Sequence, residues 1–108
     1  MSRASDRRAI AEAADSILAA LRAGMVFNAH HDLLRETALA CRELLLRPEA
    51  FTDHQLGKLV REAALGLEAL GGRFDRETVA ARGLVGGLIH LAAEALTDRG
   101  YGAAIGRS

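Results

Sequence analysis

The run Leu84–Leu96, LVGGLIHLAAEAL, constrains this chain more than any other segment. It has helical character with apolar or small residues on nearly every face. Its two polar side chains, His90 and Glu94, stand one turn apart. A helix that is apolar all round is buried on all sides. A chain of 108 residues has little material with which to surround such a helix. The run therefore predicts one of two arrangements. In one, the other helices wrap it within the monomer. In the other, which the chain's size favours, one of its faces is shared with a second copy or with a different protein, because an uncovered apolar stripe is a liability in a soluble chain and a two-fold dimer is the commonest way to cover it.

The rest of the sequence supports an all-α fold with a single helical domain over 1–108. Half of the residues are hydrophobic, but only three Phe and one Tyr are present. The core must then be built from Leu and Ala, which suits closely approaching helices. Residues that favour strands are scarce and never alternate for long. Four helices are predicted, at approximately 5–23, 29–46, 53–70 and 76–98, joined by short connections. That pattern implies a compact bundle-like body with up-down connections, completed by dimerisation.

The punctuation is local. Ile10, Ala14, Ile17, Leu18 and Leu21 give the first helix one apolar face. Arg3, Arg7 and Arg8 lie at its start, the unfavourable end for positive charge, and this segment is read as frayed rather than as meeting an acidic partner. Asn28 is the expected N-cap of the second helix, which Arg47-Pro48 ends. Thr52 and Gln55 form a capping box for the third, with Phe51 and Leu56 as a hydrophobic staple. Gly71-Gly72 closes that helix. Asp75 caps the fourth, with Phe74 and Val79 at the staple positions. The tail YGAAIGRS lacks helical rhythm and reads as a turn followed by a loose end.

Within the fourth helix, Gly83 and Gly87 share a face. Glycine weakens a helix interior by about 1 kcal/mol relative to alanine, and the usual compensation is close approach of another backbone. The predicted interface is therefore Gly83 and Gly87 with the adjacent ridge Leu84, Leu88, Leu91 and Ala95. On this reading the protein is a non-enzymatic interaction, adaptor or regulatory module, a homodimer or a partner of another protein, acting through helix-on-helix contacts.

Two other classes are carried alongside. His90 and Glu94 could hold a metal ion or a polar ligand, with His30, His31, Asp32 and Glu36 as further contributors. That would make the chain a small-molecule- or metal-binding bundle, with or without enzymatic activity. The Glu-x-x-His pairs of di-metal carboxylate bundles are absent. A His90 buried beside Glu94 would also couple protonation to assembly near neutral pH.

The segment Leu67–Val85 supplies the other class. Leu70-Gly71 at a turn and Arg76-Glu77-Thr78-Val79 at the start of a helix resemble the helix-turn-helix family in outline. The resemblance implies a DNA-binding regulator that reads bases through Arg76, Thr78 and Arg82. The connection from Gly72 to Asp75 is longer than that family's tight turn. A formal net charge of zero gives no steering toward a phosphate backbone, so nucleic acid is not the expected partner.

Several functions have no sequence support. There is no glycine-rich phosphate loop in a strand–loop–helix context and no serine-centred nucleophile motif, so no catalytic residue is named and no cofactor is implied. Cys41, the one cysteine, falls in the apolar rhythm of the second helix and reads as a small buried hydrophobe. The N-terminal segment is broken by charges and does not resemble a signal peptide. The run Leu84–Leu96 is too short to span a bilayer, so no membrane insertion and a cytoplasmic location are expected.

Overall fold

A computed structural model describes residues 3–100. Among these the elements are α1 (Arg3–Arg22), α2 (His31–Leu46), a short 3-10 turn (Pro48–Ala50), α3 (Asp53–Leu70) and α4 (Arg76–Asp98), with no strand. The all-helical reading holds. The tail from Tyr101 lies outside the described residues.

The starts of α3 and α4 follow the local chemistry. Thr52 Oγ1 accepts from the Gln55 N–H at 3.1 Å, and the Gln55 side chain accepts from the Thr52 N–H at 2.8 Å. Leu56 is fully buried, and Phe51 is partly buried against the same core. Asp75 accepts from the Thr78 N–H at 3.1 Å. The α4 staple does not form, since Phe74 is 88% exposed. It lies instead 5.8 Å beneath the Arg82 guanidinium, a cation–π contact that holds an aromatic ring at the surface. Gly24 and Gly71 adopt positive φ at the ends of α1 and α3, a conformation that glycine reaches without steric cost.

Two expectations are corrected. The first turn of α1 is helical from Arg3 and is tied down, because Arg3 and Arg7 meet Glu94 near the end of α4. The start of α2 is not capped by Asn28. The helix begins at His31 with no side-chain cap from its flanking residue His30. The Glu77 carboxylate accepts instead from the N–H groups of Ala29 and His30, at 3.2 and 3.1 Å. A carboxylate suits the positive end of a helix, and here it comes from α4.

The packing makes α4 the hub. It packs most extensively on α3, then on α2, and less on α1; α1 and α2 form the other large pair. Leu84, Leu88, Leu91 and Ala95 are buried, and so are Ala81, Val85 and Ala92. Ile89 and Leu96 pack partly against the same core. Both apolar ridges of α4 are thus covered within one chain. At 23 residues α4 is long and apolar enough to cross a membrane by length and composition, which the shorter run Leu84–Leu96 had not suggested. A buried core helix passes the same test.

Candidate functional site

The polar feature that the sequence singles out lies where α1 crosses the last turns of α4. Glu94 is only 9% exposed. Arg3 Nε lies 2.9 Å from one of its carboxylate oxygens, and Arg7 Nη2 lies 2.6 Å from the other. Arg3 also reaches Asp98. Burial alone would raise the pKa of Glu94, but hydrogen bonds from Arg3 and Arg7 outweigh it and hold the carboxyl below its ordinary value. The group is an ionised carboxylate clamped by two guanidinium forks.

His90 stands outside this clamp. Its Nε2 is 3.6 Å from Glu94 and 4.0 Å from Asp6, and its side chain is 47% exposed. Neither distance is a hydrogen bond. The premise of a buried His90–Glu94 pair that switches assembly with pH is not met, because the arginines occupy the carboxylate. The same arrangement disfavours a metal ion there, since two guanidinium charges stand where the cation would bind. Among the described residues no three His, Cys, Asp or Glu side chains are placed to hold a metal.

The structure does not bring the remaining ligand candidates to His90. His30 Nε2 lies 3.3 Å from Thr78 Oγ1, twelve residues up α4, or about 18 Å along the axis. The Thr78 hydroxyl donates to Asp75, so its oxygen accepts from a protonated His30 Nε2. His31 Nδ1 accepts from the Phe27 N–H at 3.3 Å, which requires that nitrogen to be unprotonated. His30 ties the connection between α1 and α2 to the start of α4, and His31 holds Phe27 within that connection. Asp32 pairs with Arg35 on the surface of α2. Glu36 lies elsewhere again, at a cavity between α2 and α3.

The three residues implied by the helix-turn-helix resemblance also separate. Thr78 is fully buried. Arg82 donates to the carbonyls of Gly71 and Arg73, at 3.0 and 2.6 Å, and so closes the α3–α4 turn. Arg76 is exposed and lines an open cleft.

That cleft was not anticipated. It has a volume of about 440 Å³ and lies between the second half of α1 (Ser16, Ile17, Ala20) and the first turns of α4 (Arg76, Glu77, Ala80), with Met25 to Asn28 across one end. The helices meet closely at the other end, where Ile10 packs on Gly87, with its Cγ1 3.1 Å from where a Cβ would stand. One turn away, a Cβ on Gly83 would meet nothing within 4 Å. Of the predicted contact line, Gly87 is used inside the monomer and Gly83 is open to the outside. Leu84, Leu88, Leu91 and Ala95 face the core.

Cys41 is buried, with its thiol 3.8 Å from the Leu84 carbonyl. Burial pushes its pKa up to about 12, which leaves it protonated and poorly nucleophilic. Comparison of the chain with protein-family models, curated proteins and solved structures returns no match.

Proposed function

We propose that the chain is a protein-interaction module without chemistry of its own, and that it works by self-association through the outward face of the first half of α4. The observation that carries this reading is the distribution of exposed bulk. Of seven large apolar side chains exposed among the described residues, Met25, Val26, Phe74 and Val79 surround the start of α4. Val79 stands one turn from Arg76, which lines the cleft, and one turn from Arg82, which covers Phe74. These side chains therefore belong to one surface. Between them, Ala80 and Gly83 keep the helix thin enough for a second backbone to approach.

In this reading the four helices form an up-down, bundle-like body that dimerisation completes. A two-fold arrangement places the same surface on both partners, with apolar residues of one copy seated in the cleft of the other. The partners' contact moves from the predicted ridge, which the monomer buries, to the line that the monomer leaves uncovered.

The test is the solution mass by light scattering over a wide range of concentration. A dimer is expected for the parent chain. Val79→Glu places a charge on the face and is expected to yield a monomer, whereas Leu65→Glu, on exposed α3 surface, keeps the dimer. A parent mass that stays monomeric at every concentration refutes the proposal, as does a Val79→Glu variant with the same mass as the parent.

A further inference from the structure

Alpha-helices α2 and α3 both lie on α4 but leave a gap between them, floored by Val85 and Leu88. The gap holds a cavity of about 180 Å³. Leu33, Ala40, Leu59 and Ala63 supply most of its apolar wall, and Gly66 adds room, since a Cβ there would meet nothing within 4 Å. Two features make it more than a packing defect.

The first is Thr37. It lines the cavity and is only 6% exposed. The other threonines of the chain are satisfied: Thr52 accepts from Gln55, Thr78 donates to Asp75, and Thr97 donates to the Ala93 carbonyl. Among the described residues the Thr37 hydroxyl has no hydrogen-bond partner, and none of their side-chain N or O atoms is both sealed from solvent and unpaired. Its oxygen therefore keeps access to solvent, in a residue that lines the cavity. A hydroxyl in that position is open to water, or to a ligand group that displaces the water and reproduces its hydrogen bond.

The second is charge. Glu36 and Glu62 are the charged residues lining the cavity, and both are acidic. Both are exposed at its rim. Lys58 pairs with Glu62 at 3.9 Å, with both side chains well exposed, an arrangement that offsets the carboxylate only weakly. The cavity lining contains no lysine or arginine.

We infer that this cavity is a binding site for a small organic amine: an apolar body of roughly benzene size, with an ammonium group held at the rim by Glu36 and Glu62 and reaching the Thr37 hydroxyl. An apolar cavity of about 150 Å³ takes up benzene, so the volume suits one ring or a branched chain and no more. An ammonium donates to the hydroxyl oxygen and to both carboxylates. An anion of the same shape meets two like charges. The site lies across α4 from the proposed self-association face, and the two are tested separately.

The probe is 2-phenylethylamine, followed by amide chemical shifts and calorimetry on the full chain. Saturable shifts are expected at Thr37, Gly66 and their neighbours. 3-Phenylpropionate has the same skeleton with the opposite charge, and is expected to bind at least about tenfold more weakly. Glu36→Gln with Glu62→Gln is expected to weaken the amine on the order of tenfold, as two rim charges allow. Thr37→Val keeps the shape and removes the hydroxyl, and weakens it further. Gly66→Leu fills the cavity and abolishes binding; leucine is a better helix former than glycine, so this variant melts no lower than the parent. Absence of saturable shifts at millimolar amine overturns the inference. So does equal binding of the carboxylate, or full binding by a folded Gly66→Leu variant.

Discussion

Gly83 and Gly87 look equivalent in the sequence, and alanine at each should have opposite effects. Both lie in the interior of α4. Replacing a helix-interior glycine by alanine gains about 1 kcal/mol, through the lower entropy of the unfolded chain and better backbone cover. At Gly83 nothing opposes that gain, because the new methyl meets no atom within 4 Å. At Gly87 the methyl arrives 3.1 Å from Ile10 Cγ1 and 3.2 Å from Cγ2. Both branches of a β-branched side chain are touched at once, and such a side chain has few rotamers to retreat into. Relieving the overlap moves α1 or strains Ile10, which costs about 1–3 kcal/mol. The net for Gly87→Ala is a loss of roughly 0–2 kcal/mol after the propensity gain is subtracted.

Urea unfolding followed by helical circular dichroism measures both variants, at two protein concentrations so that association does not enter. In a domain of this size, 1 kcal/mol corresponds to about 4–8 °C in Tm, so the contrast is visible by heating as well. The cycle closes with Ile10→Ala. In that background the obstructing branches are gone, and Gly87→Ala is expected to become stabilising by about as much as Gly83→Ala, a coupling of about 1–3 kcal/mol. Equal stabilisation by Gly83→Ala and Gly87→Ala in the parent chain would refute the reasoning, because Ile10 would then not be seated on Gly87.

Two further outcomes follow from the charged and titrating groups. Cys41 is expected to stay unreactive toward a disulfide reagent at pH 8 in the folded protein and to react fully on unfolding; reaction of the folded chain at the rate of a free thiol would place it outside the core. Glu94→Gln is expected to lower stability by about 1 kcal/mol at neutral pH, discounted for the half-exposed arginines. Because the folded carboxyl lies below its ordinary value, the parent's advantage is present above roughly pH 4.3 and disappears as pH falls through the folded pKa. A difference that persisted unchanged in acid would assign it to packing rather than to the ion pairs.

The parts of the fold that were legible in the sequence are those whose cause is local. Thr52 and Gln55 are three residues apart, and their reciprocal bonds start α3 where the motif says. Asp75 does the same for α4. The features that escaped have partners far along the chain. Glu77 caps α2 across 48 residues from Ala29, so Asn28 was the natural but mistaken choice. Arg3 and Arg7 look misplaced beside the positive end of their own helix until Glu94, 87 residues after Arg7, is brought to them. Of the candidate site residues, His90 and Glu94 were correctly read as neighbours on one face. Their isolation from His30, His31 and Glu36 depends on how the helices cross, which apolar periodicity does not encode.

The glycines carry the last step. A sequence consistent at every level keeps helix-weakening residues out of helix interiors unless something compensates, and violations concentrate at functional sites. Gly87 is compensated inside the monomer, since Ile10 needs its space. Gly66, Gly83 and Gly86 are not: each sits within a helix, each leaves the Cβ position empty, and none has a positive φ that only glycine would accept. Alanine at any of them would strengthen the isolated chain. Gly66 lines the cavity beside Thr37, Gly83 lies on the uncovered line of α4 near Val79, and Gly86 lines neither the cavity nor the cleft. Two of these three vacancies coincide with the places that the helices around α4 leave open. The proposed ligand would use the space at Gly66 and the proposed second chain the space at Gly83, so the alanine variants connect both proposals to stability: each is expected to strengthen the isolated chain while narrowing the surface that the proposal needs.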